Sequence, residues 1–300
     1  MPLRTDLALE SVYTHKNEGI IQKEEKQEDC LVTSIEITTQ EASRLVGKPM
    51  GNYVTVELEN NLGNDDQLIE SIAGVLAKEL RTILPKEWGK ILVVGLGNRK
   101  ITPDALGPDV VDRIMVTDHV MKYLKQVDGR EFSAVSAICP GVLGITGIET
   151  VDIVKGVTER YRPSVVIAVD ALCAQSPRRM FRTVQLTDTG IHPGSGVGNR
   201  RDGLTKESLG VPVISVGIPT VVDSDAIVYT AIRSFFEANQ SLTEASAMIG
   251  DMMKYTEDKL FVSPKDIDRL IAKSARVIAG GINLALHRNI DLLYAENFVS

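Results

Sequence analysis

Cysteine, aromatic residues and long hydrophobic runs are all scarce in this chain. Of its 300 residues only three are cysteines, and 5% are aromatic. Cys30, Cys139 and Cys173 form no C-x-x-C pair, so neither a disulfide framework nor a structural zinc site is predicted. The chain shows no secretory signal and no run of 18 apolar residues. We therefore expect no membrane association and a reducing cytoplasm as the compartment.

Basic residues are also fewer than acidic ones. Lys and Arg number 33 against 40 Asp and Glu, which gives a formal net charge of −7. This balance disfavours bulk attraction to nucleic acid or to an anionic membrane, so neither is an expected partner. Hydrophobic residues make up 43% of the chain, which is enough to bury the core of one large α/β domain.

Apolar runs alternate with helical patterns along most of the chain. The alternation predicts a parallel sheet that is covered by helices on both faces. The first 30 residues are polar and are predicted to be a mobile, irregular arm. Strands are predicted at residues 31–39, 53–59, 91–96, 134–138, 164–169 and 212–216, and helices at residues 64–84, 108–125, 149–161, 224–237 and 264–286.

Two acidic residues follow predicted strands, at the sheet edge where α/β proteins build their sites. Asp104 lies in the loop after the strand at residues 91–96, and Asp170 directly follows the strand at residues 164–169. Two converging carboxyls can share a proton and divide acid and base roles. Singly, each has a structural interpretation: Asp104 caps the next helix, and Asp170 accepts backbone hydrogen bonds. For the two acids together, at the ends of two strands, a functional role is the favoured interpretation.

Two glycine-rich loops accompany these acids. Gly95-Leu96-Gly97 matches half of a dinucleotide fingerprint, but the third glycine is missing and there is no P-loop. Its glycines are expected to let the loop pass close to the sheet. The second loop, residues 187–201, contains His192, whose interpretation stays open between metal ligand, proton shuttle and ordinary loop residue.

Several segments together resemble the germination proteases of spore-forming bacteria, over nearly the whole length. The segments are RTDLA at residues 4–8, TPDALGP at 102–108, CPGVLGITG at 139–147, VDAL at 169–172 and GIHPGSGVGN at 190–199. The resemblance implies an aspartic-type endopeptidase with Asp104 and Asp170 as its catalytic pair. Asn98 and His192 are accessory candidates, and no cofactor is expected.

The same resemblance also implies a fold, a maturation step, an assembly and a class of substrates. The fold is expected to be a three-layer α/β sandwich with a mostly parallel central sheet, similar to hydrogenase maturation proteases. Residues 1–6 would be a propeptide that the enzyme removes by cutting between Asp6 and Leu7, leaving a single peptidase domain at residues 7–300. The expected assembly is a homotetramer in the forespore and spore core, with small acid-soluble spore proteins as substrates.

Three alternatives stay open on the residues alone. The same acids with His192 could hold a divalent ion for metal-assisted hydrolysis. The loop containing Gly95 and Gly97 could instead belong to a nucleotide-binding regulator, which would bind nucleotide and cut nothing. The third alternative is a catalytically silent assembly protein.

Overall fold

Successive side chains of a strand point to opposite faces of the sheet, so a continuous apolar run forms a strand that is buried on both faces. The computed structural model describes residues 5–12, 18–59, 66–123, 132–192, 202–238 and 260–299. In the strand Ile91–Gly95, Ile91 and Val93 pack into one hydrophobic cluster, whereas Leu92 and Val94 pack into another. Each run therefore has two buried faces, as the sequence predicts.

The sheet that these described ranges form is mixed, so the expected parallel pairing holds for one part of it and antiparallel strands extend the rest. Its strands, in chain order, are β1 Ile20–Gln27, β2 Cys30–Ile37, β3 Gly51–Leu58, β4 Ile91–Gly95, β5 Val135–Ile138, β6 Val165–Ala174, β7 Thr183–Thr187, β8 Val213–Asp223 and β9 Phe261–Val262. The order across the sheet is β1-β2-β3-β7-β8-β6-β4-β5, and β9 pairs with β8. Strands β8, β6, β4 and β5 are parallel to one another, and the remaining pairs are antiparallel.

Helices cover both faces of the sheet and complete three layers. They are α1 Ala8–Val12, α2 Gln40–Val46, α3 Asp66–Ile83, α4 Leu106–Val111, α5 Asp118–Tyr123, α6 Leu143–Thr146, α7 Thr150–Tyr161, α8 Lys206–Leu209, α9 Ser224–Ala238, α10 Ile267–Leu286 and α11 Leu292–Val299. Helices α3 and α10 pack together over one face, and α7 and α8 cover the other. The α/β class is confirmed. No helix in the described ranges is long and apolar enough to cross a bilayer.

Several boundaries differ from the sequence predictions; the strand predicted at residues 212–216, for example, continues to Asp223. The helix predicted at residues 108–125 is interrupted between α4 and α5, because Met115 N–H donates to the Asn283 side chain and Thr117 N–H donates to Val135 O. Strand β6 continues to Ala174, so Asp170 lies within the strand instead of ending it. The longer strand is sustained by β8, which pairs with it from Val166 to Ala174.

The first 30 residues are not irregular where the structure describes them. Leu7 and Leu9 are fully buried, and α1 packs against α2 and β2. Strand β1 pairs with β2 along its whole length. Its charged side chains are mostly exposed at the edge of the sheet, where charge discourages pairing with another chain. The polar composition of this segment predicts an irregular arm. It cannot reveal the observed packing, because that packing depends on pairing with β2 and on the burial of two leucines.

Candidate active site

A cavity of about 530 Å³ lies beyond the carboxyl ends of β4 and β5 and along β6 and β8. Asp104 and Asp170 both line it, together with Asn98, His192 and Asp6. The structure therefore brings into one cavity the candidate pair, both accessory candidates and the acid that precedes the predicted self-cleavage bond. Residues 193–201, which complete the second glycine-rich loop, lie outside the described residues.

Asp104 is positioned by a short 3₁₀ helix, Thr102–Asp104, that folds back onto the glycine loop. Asn98 N–H donates to Asp104 O at 2.9 Å, and the Thr220 hydroxyl donates to Pro103 O at 2.7 Å. Gly97 has a φ of 109°, and a Cβ there would lie 2.1 Å from Asp104 O. The prediction that these glycines let the loop pass close to neighbouring backbone is confirmed at Gly97.

Asp104 does not occupy the N-cap position of α4. The residue at the start of α4 is Ala105, and it has no side-chain capping hydrogen bond. A Cβ on Gly95 would lie 2.3 Å from Gly107 O, so the glycine loop is packed against the start of α4. This packing gives the loop glycines a structural role that needs no nucleotide.

Asp170 is 6% exposed and lies within β6. Ala171 N–H donates to its Oδ1 at 2.9 Å, which fulfils the structural interpretation in part. The pKa of Asp170 is nevertheless raised well above its usual value, first by burial and then by the nearby Asp104 and Asp6 carboxylates. A carboxyl in this environment tends to hold a proton at pH values where an exposed aspartate has lost it.

The strand register places an amide opposite this carboxyl. Asp170 pairs with Gly217 of β8, and Gly217 pairs with Gln185 of β7. Asp170 and Gln185 therefore stand in one row, about 10 Å apart by strand spacing. The residue between them has no side chain, and a Cβ at Gly217 would lie 2.6 Å from Leu172 Cγ. Glycine at this position therefore leaves room for the Leu172 side chain, which packs over the row between the acid and the amide.

The segment around Asp6 and Leu7 is held within the cavity wall. Asp6 N–H donates to Cys173 O at 2.9 Å, and Cys173 N–H donates to Asp6 Oδ2 at 2.8 Å. The Leu7 side chain is fully buried in a cluster with Leu172 and Val222. The backbone at Asp6 and Leu7 is therefore held against β6, in the wall of the cavity that the candidate pair also lines.

Two side chains that sequence reasoning missed bind the carbonyl oxygen of that bond. Lys48 Nζ donates to Asp6 O at 2.9 Å, and Gln185 Nε2 donates to the same oxygen at 3.1 Å. Lys48 follows the Gly47 cap of α2, and Gln185 lies on β7, which was not predicted as a strand. Residues 183–187 read Thr-Val-Gln-Leu-Thr, with only two apolar residues, so little in the sequence indicates this strand or Gln185.

His192 and Asn98 line the cavity without joining the two acids in a ligand set. His192 is exposed, and the Asn98 side chain accepts a hydrogen bond from Lys100 N–H at 3.0 Å. Within the described ranges, no three His, Cys, Asp or Glu side chains group closely enough to hold a metal ion. Cys173 is buried, and burial raises the pKa of its thiol to about 12, which matches its interpretation as a small apolar residue.

Comparisons with known proteins agree over most of the chain. A family model described as germination protease matches residues 5–258. The germination protease of Caldanaerobacter subterraneus subsp. tengcongensis is 43% identical over 304 residues, which cover 95% of this chain and 94% of that protein. The germination protease of Clostridium perfringens is 38% identical and covers 99% of both chains. That of Bacillus cereus is 38% identical over 96% of this chain and 95% of its own.

A search of solved structures gave a NiFe hydrogenase maturation protease from Thermococcus kodakarensis. It is 17% identical to this chain, with a TM-score of 0.36. The match covers 67% of this chain and 96% of that one.

Proposed function

This chain belongs to the germination protease family, and we propose that it hydrolyses peptide bonds with Asp104 and Asp170 as a carboxyl pair. A role as a protease in spore germination follows from the family itself. The observation that carries the proposed pair is that both acids line one cavity, where Asp104 helps to raise the pKa of Asp170.

The pair would act with one carboxyl ionised and the other protonated. Water bonds to the carbonyl carbon as the ionised carboxyl takes one of its protons, and the C=O electron pair moves onto oxygen. The C–N bond then breaks as that electron pair re-forms the carbonyl and the protonated carboxyl donates to the nitrogen. The shared proton belongs to the pair, so acid and base are not assigned to one residue each.

Self-processing between Asp6 and Leu7 is the second part of the proposal. It is supported by the position of Asp6 in the cavity wall, where its carboxylate contributes to the raised pKa of Asp170. Residues 1–6 would be the removed propeptide of a zymogen, and residues 7–300 the mature peptidase. Mild acid should favour the cut, because the pair must hold one proton.

Substrates are proposed to be small acid-soluble spore proteins, cut in extended segments with an acid before the bond and an aliphatic residue after it. The Asp6–Leu7 bond is the pattern for this preference. We propose a homotetramer that acts in the forespore and spore core. The net charge of −7 makes nucleic acid an unfavourable partner for the enzyme, although its substrates bind DNA.

The test compares Asp104→Asn and Asp170→Asn with wild type and with Asp202→Asn, an exposed acid outside the cavity lining. Turnover of spore proteins is measured, and intact mass is recorded after incubation at mildly acidic and neutral pH. Both pair variants should fold yet lose activity by about 100-fold or more, since general acid–base catalysis contributes on that scale. Asp202→Asn should match wild type.

Specific outcomes would contradict each part. Near wild-type turnover by either pair variant removes that residue from the pair. A wild-type chain that stays full length at every pH rules out self-processing. Equal cutting of the Asp104→Asn chain would show that a contaminating protease cuts the Asp6–Leu7 bond.

A further inference from the structure

The carbonyl oxygen of Asp6 is bound by two side-chain donors from different parts of the fold. Lys48 Nζ lies 2.9 Å from it, and Gln185 Nε2 lies 3.1 Å from it. Lys48 comes from the turn between α2 and β3, whereas Gln185 comes from the middle of β7. Two convergent donors on one carbonyl oxygen are the arrangement that stabilises the negative charge of a tetrahedral intermediate.

We propose that Lys48 and Gln185 are catalytic residues that form the oxyanion site of this peptidase, both for the Asp6–Leu7 bond and for external substrates. This inference rests on the proposed function, because it needs hydrolysis at that cavity. When water attacks, the C=O electron pair moves onto the oxygen that these donors hold. Their hydrogen bonds strengthen as the charge develops, so they lower the barrier to attack.

Gln185 is oriented by contacts on both sides of Leu7. Its Nε2 donates to Asp6 O, while its Oε1 accepts from Ala8 N–H at 2.6 Å. The Gln185 amide therefore contacts the backbone on both sides of Leu7, the residue that follows the scissile bond, and holds the peptide in place there. Asp170 lies in the same strand row as Gln185, two strands away across Gly217, so the acid and the amide line the same cavity.

Lys48 is suited to the charge it would face. Its Nζ also donates to Thr5 O at 3.0 Å, so it binds the carbonyl oxygens of two successive residues. Burial of the ammonium group lowers its pKa, and Asp6 and Glu10 oppose that effect. A cation in this desolvated position interacts more strongly with a developing oxyanion than it would in water.

A structural alternative assigns these contacts only to holding the N-terminal segment in place. It predicts that removing a donor weakens binding of that segment and leaves turnover of bound external peptide unchanged. An oxyanion site predicts the reverse: kcat falls, whereas KM changes little. The two alternatives are therefore distinguished by whether kcat falls while KM stays nearly constant, a result that packing alone would not produce.

The experiment uses the full chain with Lys48→Met, Lys48→Arg and Gln185→Met, and Lys78→Met as the matched control. Lys78 is an exposed lysine on α3 that does not line the cavity. Self-cleavage is followed by intact mass. Turnover of a peptide containing Thr-Asp-Leu-Ala is normalised to the processed fraction, and thermal midpoints report folding.

We expect Lys48→Met to lower both the self-cleavage rate and kcat by about 100-fold, the usual effect of losing one oxyanion donor. Lys48→Arg keeps charge and donors, so it should recover most of the activity. Gln185→Met should lower kcat at least about 10-fold and gives an independent test if Lys48→Met does not fold. Lys78→Met should be unchanged.

The outcomes separate this inference from the proposed function. Wild-type kcat in both Lys48→Met and Gln185→Met, with Asp104→Asn inactive, would overturn the oxyanion site alone. So would a change confined to KM. Activity retained by Asp104→Asn but lost in Lys48→Met would contradict the carboxyl pair and leave the oxyanion site standing. A wild-type chain that cuts neither bond would overturn both.

Discussion

A carboxyl buried within a strand has an energetic cost, and Asp170 illustrates it. Its side chain accepts one hydrogen bond from Ala171 N–H, but burial and two neighbouring acids raise its pKa. Ionisation is therefore unfavourable in the folded chain and easy in the unfolded one. Chains retain such costs where a protonated acid is useful, which is the usual situation of catalytic carboxyls.

Asp170→Asn should stabilise the protein at neutral and higher pH. Since the folded pKa exceeds the unfolded one, ionisation destabilises the folded wild type above the folded pKa, by about 1.4 kcal/mol for each pH unit between the two pKa values. Below the unfolded pKa both states are protonated, and the advantage of asparagine disappears. Urea unfolding from pH 4 to 8 checks this, with Asp202→Asn as the exposed control. An advantage that grows as pH falls would contradict the assignment.

Short elements near the N-terminus are held by one buried acid. Glu10 of α1 accepts hydrogen bonds from Gln175 N–H at 2.7 Å and Ser176 N–H at 2.9 Å, just beyond the end of β6. Arg179 lies 3.4 Å from the same carboxylate and also pairs with Glu57. Helix α1 is only five residues long, so these contacts, together with the burial of Leu9, are needed to hold it in place.

Glu10→Gln should detach α1 from the sheet. Both carboxylate oxygens accept backbone N–H groups, so the amide NH₂ of glutamine would face a donor. We expect a loss of about 2 kcal/mol in the free energy of unfolding, the scale of a hydrogen bond to a charged group. Denaturant unfolding and amide exchange over residues 8–12 measure it, with the exposed Glu41→Gln as control. Unchanged unfolding and exchange would show that α1 does not depend on Glu10.

At the scale of the whole molecule, the site combines segments from most of the chain. Asp6 comes from the first described segment, Lys48 from the turn before the antiparallel strand β3, Asp104 from the 3₁₀ helix after β4, and Asp170 from the parallel strand β6. Strand β7 joins the two parts by pairing with both β3 and β8, and it supplies Gln185. Catalysis is therefore expected to depend on the complete sheet.

Chelation should leave the activity of the whole enzyme unchanged. In the proposed mechanism two carboxyls and one water supply every proton transfer, and no step uses an ion. The measurement is peptide turnover before and after exhaustive treatment with EDTA, followed by addition of single divalent ions. Loss of activity that one specific ion restores would favour the metal-assisted alternative, in which Asp104 and Asp170 act as ligands with His192.

The sequence by itself determined the parts that depend on local pattern. Alternation of apolar residues located β2 and β3, uninterrupted apolar runs located β4 to β6 and the start of β8, and helical patterns located α3, α7, α9 and α10. It also predicted that Asp104 and Asp170 would lie close together, because parallel strands share a carboxyl end, although β6 continues past Asp170. The family motifs pointed to the same residues.

Only the tertiary structure decided what surrounds the acids. Strand β7 and the far half of β8 could not be located locally, because their pairing joins residues far apart in the chain. For the same reason no local pattern could show that Lys48 and Gln185 converge on Asp6 O. The raised pKa of Asp170 likewise depends on burial and on charges contributed by other segments.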